Sequence, residues 1–184
     1  MGIYEVIERY LSENRVGILA TVIYRAGSAP RDVGAKMFVG EDGKIYGTVG
    51  GGRLESDARS EALRIMGKPQ TDILHIRMDG KEVAADGMLC GGDVDILLEP
   101  VSERYRDLYK AIGNFEKKGK KGLIVTKFLR HHFSKTFIDI DLKCIGDELP
   151  EGEIISLGRH FDDKKPLISE GVVIEPLQVS TVLY

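Results

Sequence analysis

Glycines in this chain are concentrated in three short segments, and this clustering limits the fold more than any other feature of the sequence. The chain holds 22 glycines among 184 residues, well above the usual ~7%. The clusters lie at residues 27–34, 47–52 and 87–92. Glycine adopts positive φ and lets the backbone approach a ligand, but it costs about 0.5–1 kcal/mol inside regular structure. Each cluster is therefore expected to form a turn or a binding loop.

Apolar periodicity between the clusters predicts the regular elements. Spacings of three and four predict helices at residues 2–13, 54–66 and 103–118. Apolar or alternating runs predict strands, which we expect at residues 16–24, 36–39, 44–48, 71–78, 94–99, 121–129, 137–144, 154–157 and 172–177. A tight hairpin is expected at residues 40–43. These elements predict an α/β fold, with a mixed β-sheet, flanking helices and glycine-rich loops at strand ends.

No repeat architecture is evident in the sequence. One short echo occurs, because LLEPV at residues 97–101 resembles VIEPL at residues 173–177. We interpret the echo only as two strands that end at proline.

Charge and cysteine content exclude several classes of protein. The net charge is −3 and the pI is about 5.9, so nothing global attracts nucleic acid or an anionic membrane. Two cysteines, Cys90 and Cys144, are too few for a disulfide framework. The N-terminus carries acidic residues where a secretory signal needs a basic region, and no long apolar run is present. We therefore expect a cytoplasmic protein.

The second glycine cluster has the layout of an anion cradle. Residues 47–55 (GTVGGGRLE) pass from a predicted strand through Gly50, Gly51 and Gly52 into a predicted helix. Free N–H groups at a helix N-terminus bind phosphate or carboxylate groups. Glu55 is expected to cap the helix or shape the pocket. The segment matches neither a Walker loop nor G-x-G-x-x-G, and a simple strand-to-helix turn is the alternative.

The first cluster carries cations and a hydroxyl. Ser28, Arg31 and Lys36 lie within nine residues, and Pro30 stiffens the backbone between them. Such a set suits an anionic group. Ordinary solvated surface charge is the alternative, because arginine and lysine are mostly exposed in any protein.

The third cluster surrounds a cysteine. Cys90 is followed by Gly91 and Gly92, so its thiol has small neighbours on one side. A thiol in such a setting acts as a nucleophile or as a soft ligand for a transition metal. A buried apolar cysteine is the alternative. No catalytic triad or zinc motif accompanies it, so no residue is assigned a catalytic role.

Taken together, these segments resemble the N-terminal domain of the xanthine dehydrogenase accessory factor family, the XdhC/CoxI family. Four motifs between residues 16 and 100 carry the resemblance, in order: GSAPR at 27–31, GAKM at 34–37, GGG with Leu54 and Glu55, and CGG at 90–92. The resemblance implies a chaperone or insertion factor that binds molybdenum cofactor transiently, assists its sulfuration and delivers it to a molybdenum hydroxylase of the xanthine or carbon monoxide dehydrogenase type.

The resemblance also implies roles for particular residues and partners. The implied cofactor-binding residues are Ser28, Arg31, Lys36, Gly50, Gly51, Gly52, Glu55, Cys90, Gly91 and Gly92, with Cys90 as the metal-proximal thiol. The implied partners are the client hydroxylase and a sulfur-donating cysteine desulfurase, and a homodimer is left open. A role as accessory protein is favoured over that of an enzyme.

Two departures from the family pattern set the expected boundaries. Many relatives carry cysteine in the second motif where this chain has Arg53. Family members usually continue into a Rossmann-like domain, which is absent here. We expect one N-terminal domain at residues 1–178, with a motif core at 16–100 and an α/β extension at 101–178, and the start of a domain junction at 179–184.

Two other classes of function remain open at this stage. A thiol-dependent enzyme would use Cys90 as nucleophile on a small anionic substrate, but it needs a base beside the thiol. A pure interaction domain would dock a hydroxylase through exposed apolar surface.

Overall fold

A computed structural model describes residues 2–27, 31–78, 92–129 and 132–177 of the chain. The four described helices are α1 (Ile3–Ser12), α2 (Gly52–Ile65), α3 (Arg106–Lys117) and α4 (Glu151–Leu157). Single 3₁₀ turns lie at Glu103–Tyr105 and Gly158–His160. None of the described helices is long and apolar enough to cross a membrane.

The described residues form ten strands, which belong to two sheets. Sheet 1 contains β1 (Gly17–Gly27), β2 (Lys36–Gly40), β3 (Ile45–Gly47), β4 (Asp72–Met78) and β5 (Gly92–Val101), in the order β3-β2-β1-β5-β4. Sheet 2 contains β6 (Gly122–Leu129), β7 (His132–Asp139), β8 (Cys144–Gly146), β9 (Leu167–Ser169) and β10 (Val172–Pro176), in the order β8-β7-β6-β10-β9. The α/β class is confirmed. The described strand pairs are all antiparallel, so the fold is two antiparallel sheets with helices.

The chain divides into two compact units. One unit is Glu13–Ser102, which contains sheet 1 and α2. The other consists of Met1–Ser12 with Glu103–Tyr184, so α1 belongs with sheet 2 and α3. The motif-bearing segment 16–100 lies within the Glu13–Ser102 unit.

Each sheet is buried on one face by the helix that follows its third strand. In sheet 1, Leu54, Ala58 and Ala62 of α2 pack against a cluster of strand residues, which comprises Ile18, Ala20, Val22, Met37, Val39, Ile76, Val94, Ile96 and Leu98. In sheet 2, Leu157 of α4 packs against Leu123, Val125 and Ile138. The apolar stripe of a helix and the inward side chains of a strand thus supply both cores.

Most predicted elements are confirmed within a few residues. The predicted strand at 154–157 is wrong, because these residues form the end of α4. Pro150 precedes this helix, and Glu151 and Glu153 lie in its first turn, where acidic side chains favour a helix N-terminus. The single strand predicted at 137–144 is divided between β7 and β8 by a turn.

The two sheets have the same strand order, which was not predicted. In each, the first strand lies in the centre, the second and third follow on one side, and the fifth and fourth follow on the other. The echo LLEPV and VIEPL lies at matching positions, since Glu99 pairs with Leu19 of β1 and Glu175 pairs with Ile124 of β6. Pro176 is the last residue of β10, as the interpretation of the echo expects, whereas Pro100 lies inside β5, one residue before its end.

Candidate functional site

Antiparallel pairing gathers the three glycine segments at one end of sheet 1. Strand β1 ends at Gly27, β2 begins at Lys36, β3 ends at Gly47 and β5 begins at Gly92. Because neighbouring strands run in opposite directions, the ends of β1 and β3 and the beginnings of β2 and β5 lie on the same side. Segments far apart in sequence therefore share one end of the sheet.

The strands of sheet 1 do not all end at the same level on this side. Thr21 pairs with Lys36, but β1 continues beyond β2 until Gly27 pairs with Gly92. That continuation is roughly 20 Å long at about 3.3 Å per residue. Gly92 also pairs with Met78 of β4, so three strands form an arm that projects beyond β2 and β3. Gly27 of the first glycine cluster and Gly92 of the third lie at the tip of this arm, and the second cluster follows β3 at its base.

Gly92 allows the strands of the arm to approach each other closely. A Cβ atom at this position would lie 2.2 Å from the Ala26 carbonyl oxygen, a distance that no side chain tolerates. The third glycine cluster therefore ends with a position that packing restricts to glycine.

The segment after the first cluster is tied back to β1. The Gly34 N–H donates to the Val22 carbonyl at 2.8 Å, and the Val22 N–H donates to the Ala35 carbonyl at 2.9 Å. Asp32 forms an ion pair with Arg25 at 3.0 Å. Neighbouring Arg31 is exposed, and none of the described residues forms an ion pair with it.

The glycine turn before α2 is organised by a carboxylate of the chain itself. Glu55 accepts hydrogen bonds from the Thr48 hydroxyl and, at 3.0 Å, from the Gly51 N–H. The Gly50 N–H donates to the Thr48 hydroxyl oxygen at 3.1 Å. These donors are therefore occupied by internal acceptors. The N–H groups of the first turn, beginning at Gly52, have no acceptor within the helix, and they are the donors that an external anion would meet.

Lys36 links the first two glycine clusters. Its backbone carbonyl accepts a hydrogen bond from the Thr48 N–H at 2.8 Å, and its ammonium group donates to the Gly34 carbonyl at 3.3 Å. The side chain is half-buried. The predicted site residue thus has contacts that hold the loop and the turn together.

Arg53 faces solvent on the first turn of α2. Its guanidinium group forms an ion pair with Asp57 one turn later, at 3.3 Å. The guanidinium group therefore lies along the surface of α2, beside Asp57.

Several predicted site residues lie outside the described residues. These are Ser28, Cys90 and Gly91. Among the residues that the structure describes, no group of three histidine, cysteine or acidic side chains is placed to hold a metal ion.

The second cysteine has the character of an ordinary thiol. Cys144 is exposed on β8 and forms no disulfide. Partial burial of its sulfur raises the pKa of the thiol, and the nearby Asp139 carboxylate raises it further. Since the thiolate is the reactive form, Cys144 is a poor nucleophile at neutral pH.

Sequence reasoning did not identify the exposed face of the arm. The register between β1 and β5 shifts between Val22 and Tyr24, and this bulge turns Tyr24 outward, where it is 50% exposed. Beside it, His75 pairs with Asp95 at 2.7 Å and Arg77 pairs with Asp93 at 3.4 Å. A bulge is set by strand pairing and leaves little signal in the sequence.

Comparison with known proteins bears on these motifs. Residues 10–77 match the profile of the XdhC and CoxI family. The match confirms the resemblance that the sequence motifs carry. The matched segment covers the first and second glycine clusters, including Arg31, Lys36 and Glu55.

Two relatives from Escherichia coli (strain K12) share about a third of the aligned residues. The chain is 32% identical over 114 residues to PaoD, a molybdenum cofactor insertion chaperone, an alignment that covers 61% of this chain and 35% of PaoD. It is 31% identical over 98 residues to YqeB, covering 53% of this chain and 18% of YqeB. The chain thus matches only a minor part of each relative.

A solved structure shares the fold. The crystal structure of a protein described as a xanthine dehydrogenase from Bacillus halodurans matches 97% of this chain and 53% of its own, with a TM-score of 0.73 and 23% identity. The chain therefore spans about half of that protein, and the likeness concerns the fold.

Proposed function

We propose that this chain binds molybdenum cofactor as cargo and takes part in delivering it to a molybdenum hydroxylase. Similarity to PaoD, an insertion chaperone for this cofactor, supports the proposal. The observation that carries it is the convergence of the three glycine segments at one end of sheet 1.

The chemistry of that end suits the cargo. The cofactor is an anionic pterin phosphate that carries a metal tolerant of soft ligands. In our proposal, Arg31 supplies positive charge, and the first turn of α2 from Gly52 supplies N–H donors and the positive end of the helix dipole. Gly50, Gly51 and Glu55 shape the wall behind them, and Lys36 ties the first two glycine clusters together through Thr48 and Gly34.

The glycine-flanked thiol completes the proposed set. Cys90, with Gly91 and Gly92, is the proposed contact to the metal, or the relay for sulfur during sulfuration of the cofactor. A client hydroxylase and a cysteine desulfurase are the proposed partners. Catalysis by the chain itself is not part of the proposal.

The test is cofactor retention. Purified protein would be mixed under anaerobic conditions with freshly released molybdenum cofactor and passed through gel filtration. Molybdenum content and pterin fluorescence of the protein peak would be measured for the wild type, Arg31→Gln, Cys90→Ser and Lys110→Gln. Lys110 is an exposed residue of α3 for which the described residues supply no ion pair, so its variant is the control for loss of one positive charge.

The outcomes separate the parts of the proposal. We expect the wild type and Lys110→Gln to retain cofactor, and Arg31→Gln and Cys90→Ser to lose it. Retention that Cys90→Ser leaves unchanged would remove the thiol from the site. A folded wild type that retains no cofactor would contradict cargo binding by this chain.

A further inference from the structure

Sheets 1 and 2 agree position by position as well as in strand order. Gly17 at the start of β1 lies against Phe38 of β2, and a Cβ atom added to it would lie 2.3 Å from the ring. Gly122 at the start of β6 lies against Phe137 of β7 in the same way, with a corresponding distance of 2.4 Å. A glycine packed against a phenylalanine ring therefore occupies the same position in both sheets.

Backbone conformations match as well. Left-handed residues occur at the same three places in each half, which are the turn before the first strand (Asn14 and Gly119), the hairpin (Gly43 and Leu142) and the end of the third strand (Gly47 and Gly146). The hairpins share their hydrogen bonds, since Gly43 N–H donates to Gly40 and Leu142 N–H donates to Asp139. A leucine with left-handed backbone is rare, so the shared conformation of Leu142 and Gly43 supports the correspondence of the two hairpins.

Matching residues extend to polar side chains. Thr21 pairs with Lys36 in sheet 1, and Thr126 pairs with Lys135 in sheet 2. The helices before the two sheets also correspond, because Tyr4 of α1 and Tyr109 of α3 both lie 13 residues before the first glycine of the next strand. These two rings stack with centroids 6.4 Å apart.

The halves differ mainly in their connections. Fourteen residues separate Thr21 from Lys36, but eight separate Thr126 from Lys135. Twenty-one residues separate the paired residues Leu74 and Ile96, whereas two separate the corresponding pair Ser169 and Val172. The first half therefore carries two long additions to the common plan, and both emerge at the end of sheet 1 described above.

We infer that the chain is a tandem duplication of one α-β-β-β-α-β-β unit, and that cofactor cargo binds only to the first copy, residues 3–101. The second copy is residues 106–177. This inference rests on the proposed function for its ligand. It assigns one binding site to each chain, with Arg31 as the cation that contacts the cargo and Lys36 as a scaffold residue.

The assignment of Lys36 follows from its counterpart. Lys135 is 2% exposed, and its ammonium group donates to the Thr126 hydroxyl at 2.9 Å. It also lies 5.9 Å from the centre of the Tyr109 ring. A lysine so enclosed holds strands and helix together and contacts no external ligand. Lys36 has the same register and a backbone acceptor at Gly34, and this indicates the same task.

The assignment of Arg31 follows from its place in the longer of the two first connections. Its side chain is exposed, and none of the described residues forms an ion pair with it. Among the described residues it thus has no contact that ties strands together, and its charge is therefore assigned to the cargo.

The experiment compares Arg31→Gln, Lys36→Met and Lys135→Met in the full chain by two measurements. Urea unfolding reports stability. Retention of freshly released molybdenum cofactor, per folded chain and at increasing salt, reports binding. We expect both lysine variants to lower the unfolding midpoint and Arg31→Gln to leave it unchanged. We expect saturation near one cofactor per chain, a loss of at least about tenfold in affinity for Arg31→Gln, and near wild-type affinity for folded Lys36→Met.

Failure of the inference is distinct from failure of the proposed function. If the wild type retains no cofactor, the proposed function fails, while the unfolding data still test the duplication. Saturation at two cofactors per chain would overturn confinement to the first copy. Loss of binding by Lys36→Met at wild-type stability would overturn its assignment to the scaffold. Matched destabilisation of both lysine variants, with selective loss of binding in Arg31→Gln, supports the inference.

Discussion

The Glu55 carboxylate accepts a hydrogen bond from the Gly51 N–H at the point where β3 turns into α2. The same carboxylate accepts a hydrogen bond from the Thr48 hydroxyl group. A negative side chain therefore occupies the positive end of the helix and fixes a turn of three glycines. An unsupported run of glycines would be costly to order.

Glu55→Gln is expected to lower the free energy of unfolding by about 1–3 kcal/mol, the range for hydrogen bonds to charged groups. Urea unfolding measures the change. Asp57→Asn on the same helix is the control, since its exposed pair with Arg53 contributes at most about 1 kcal/mol. Equal effects of the two substitutions would show that Glu55 does not organise the turn.

Gly92→Ala is expected to destabilise the chain by at least about 1–3 kcal/mol, the usual cost of overpacking. The new Cβ would lie 2.2 Å from the Ala26 carbonyl oxygen, so the strands of the arm must separate. Thermal unfolding measures the effect. Gly152→Ala in α4 is the control, because nothing lies within 4 Å of a Cβ there, and it should stabilise by about 0.5–1 kcal/mol. A Gly92→Ala protein as stable as the wild type would refute the close approach.

Glu116→Gln is expected to stabilise the chain at pH 7. Burial raises the pKa of Glu116, and the Glu5 and Glu175 carboxylates raise it further. The native state therefore binds more protons than the unfolded state between the ordinary pKa and the raised one, and stability falls as pH rises through that window. We expect a gain on the order of 0.5 kcal/mol, the size of like-charge effects on helices.

The pH dependence provides the check on this prediction. The advantage of Glu116→Gln should vanish near pH 3, well below the ordinary pKa of about 4.3, where the wild-type carboxyl group is also neutral. Glu148→Gln at an exposed position is the control for the substitution itself, because surface substitutions usually change stability by no more than about 0.5 kcal/mol. An advantage of Glu116→Gln that persists unchanged at pH 3 would rule out charge as its cause.

Cys144 is expected to react slowly with alkylating agents. In Cys90→Ser it is the one remaining thiol of the sequence, so mass spectrometry reports its modification alone. Because burial and Asp139 raise the pKa of Cys144, its rate with iodoacetamide at pH 7.5 should be below that of N-acetylcysteine. Unfolding in guanidinium chloride should remove the difference. A native thiol as fast as the free one would contradict this account.

Local pattern was enough to predict most elements. The helix at 106–117 and the hairpin around Gly43 depend on neighbours a few residues away, so periodicity and a turn glycine reveal them. The strand prediction at residues 154–157 was wrong because a short, mostly apolar run (IISL) suits either a strand or a helix. Pro150 and the acidic residues that follow it are a local signal for a helix N-terminus, and they favour the helix.

The internal repeat was not recognised in the sequence, and the reason is different. Corresponding residues are 105 positions apart at Gly17 and Gly122 but 99 apart at Lys36 and Lys135, because the connections differ in length. A search at one fixed period cannot align such halves. Strand register aligns them, since hydrogen bonds depend on position in the sheet and not on distance along the chain.

By itself, the sequence determined the α/β class, most helices and strands, the glycine-rich turns and the family, because these follow from short-range patterns. Only the tertiary structure decided which charges are already satisfied. Glu55 occupies the glycine turn, Asp32 pairs with Arg25, and Arg31 has no ion-pair partner among the described residues. Such pairing depends on which strands lie side by side, and hydrogen bonding between distant segments, not local propensity, sets that arrangement.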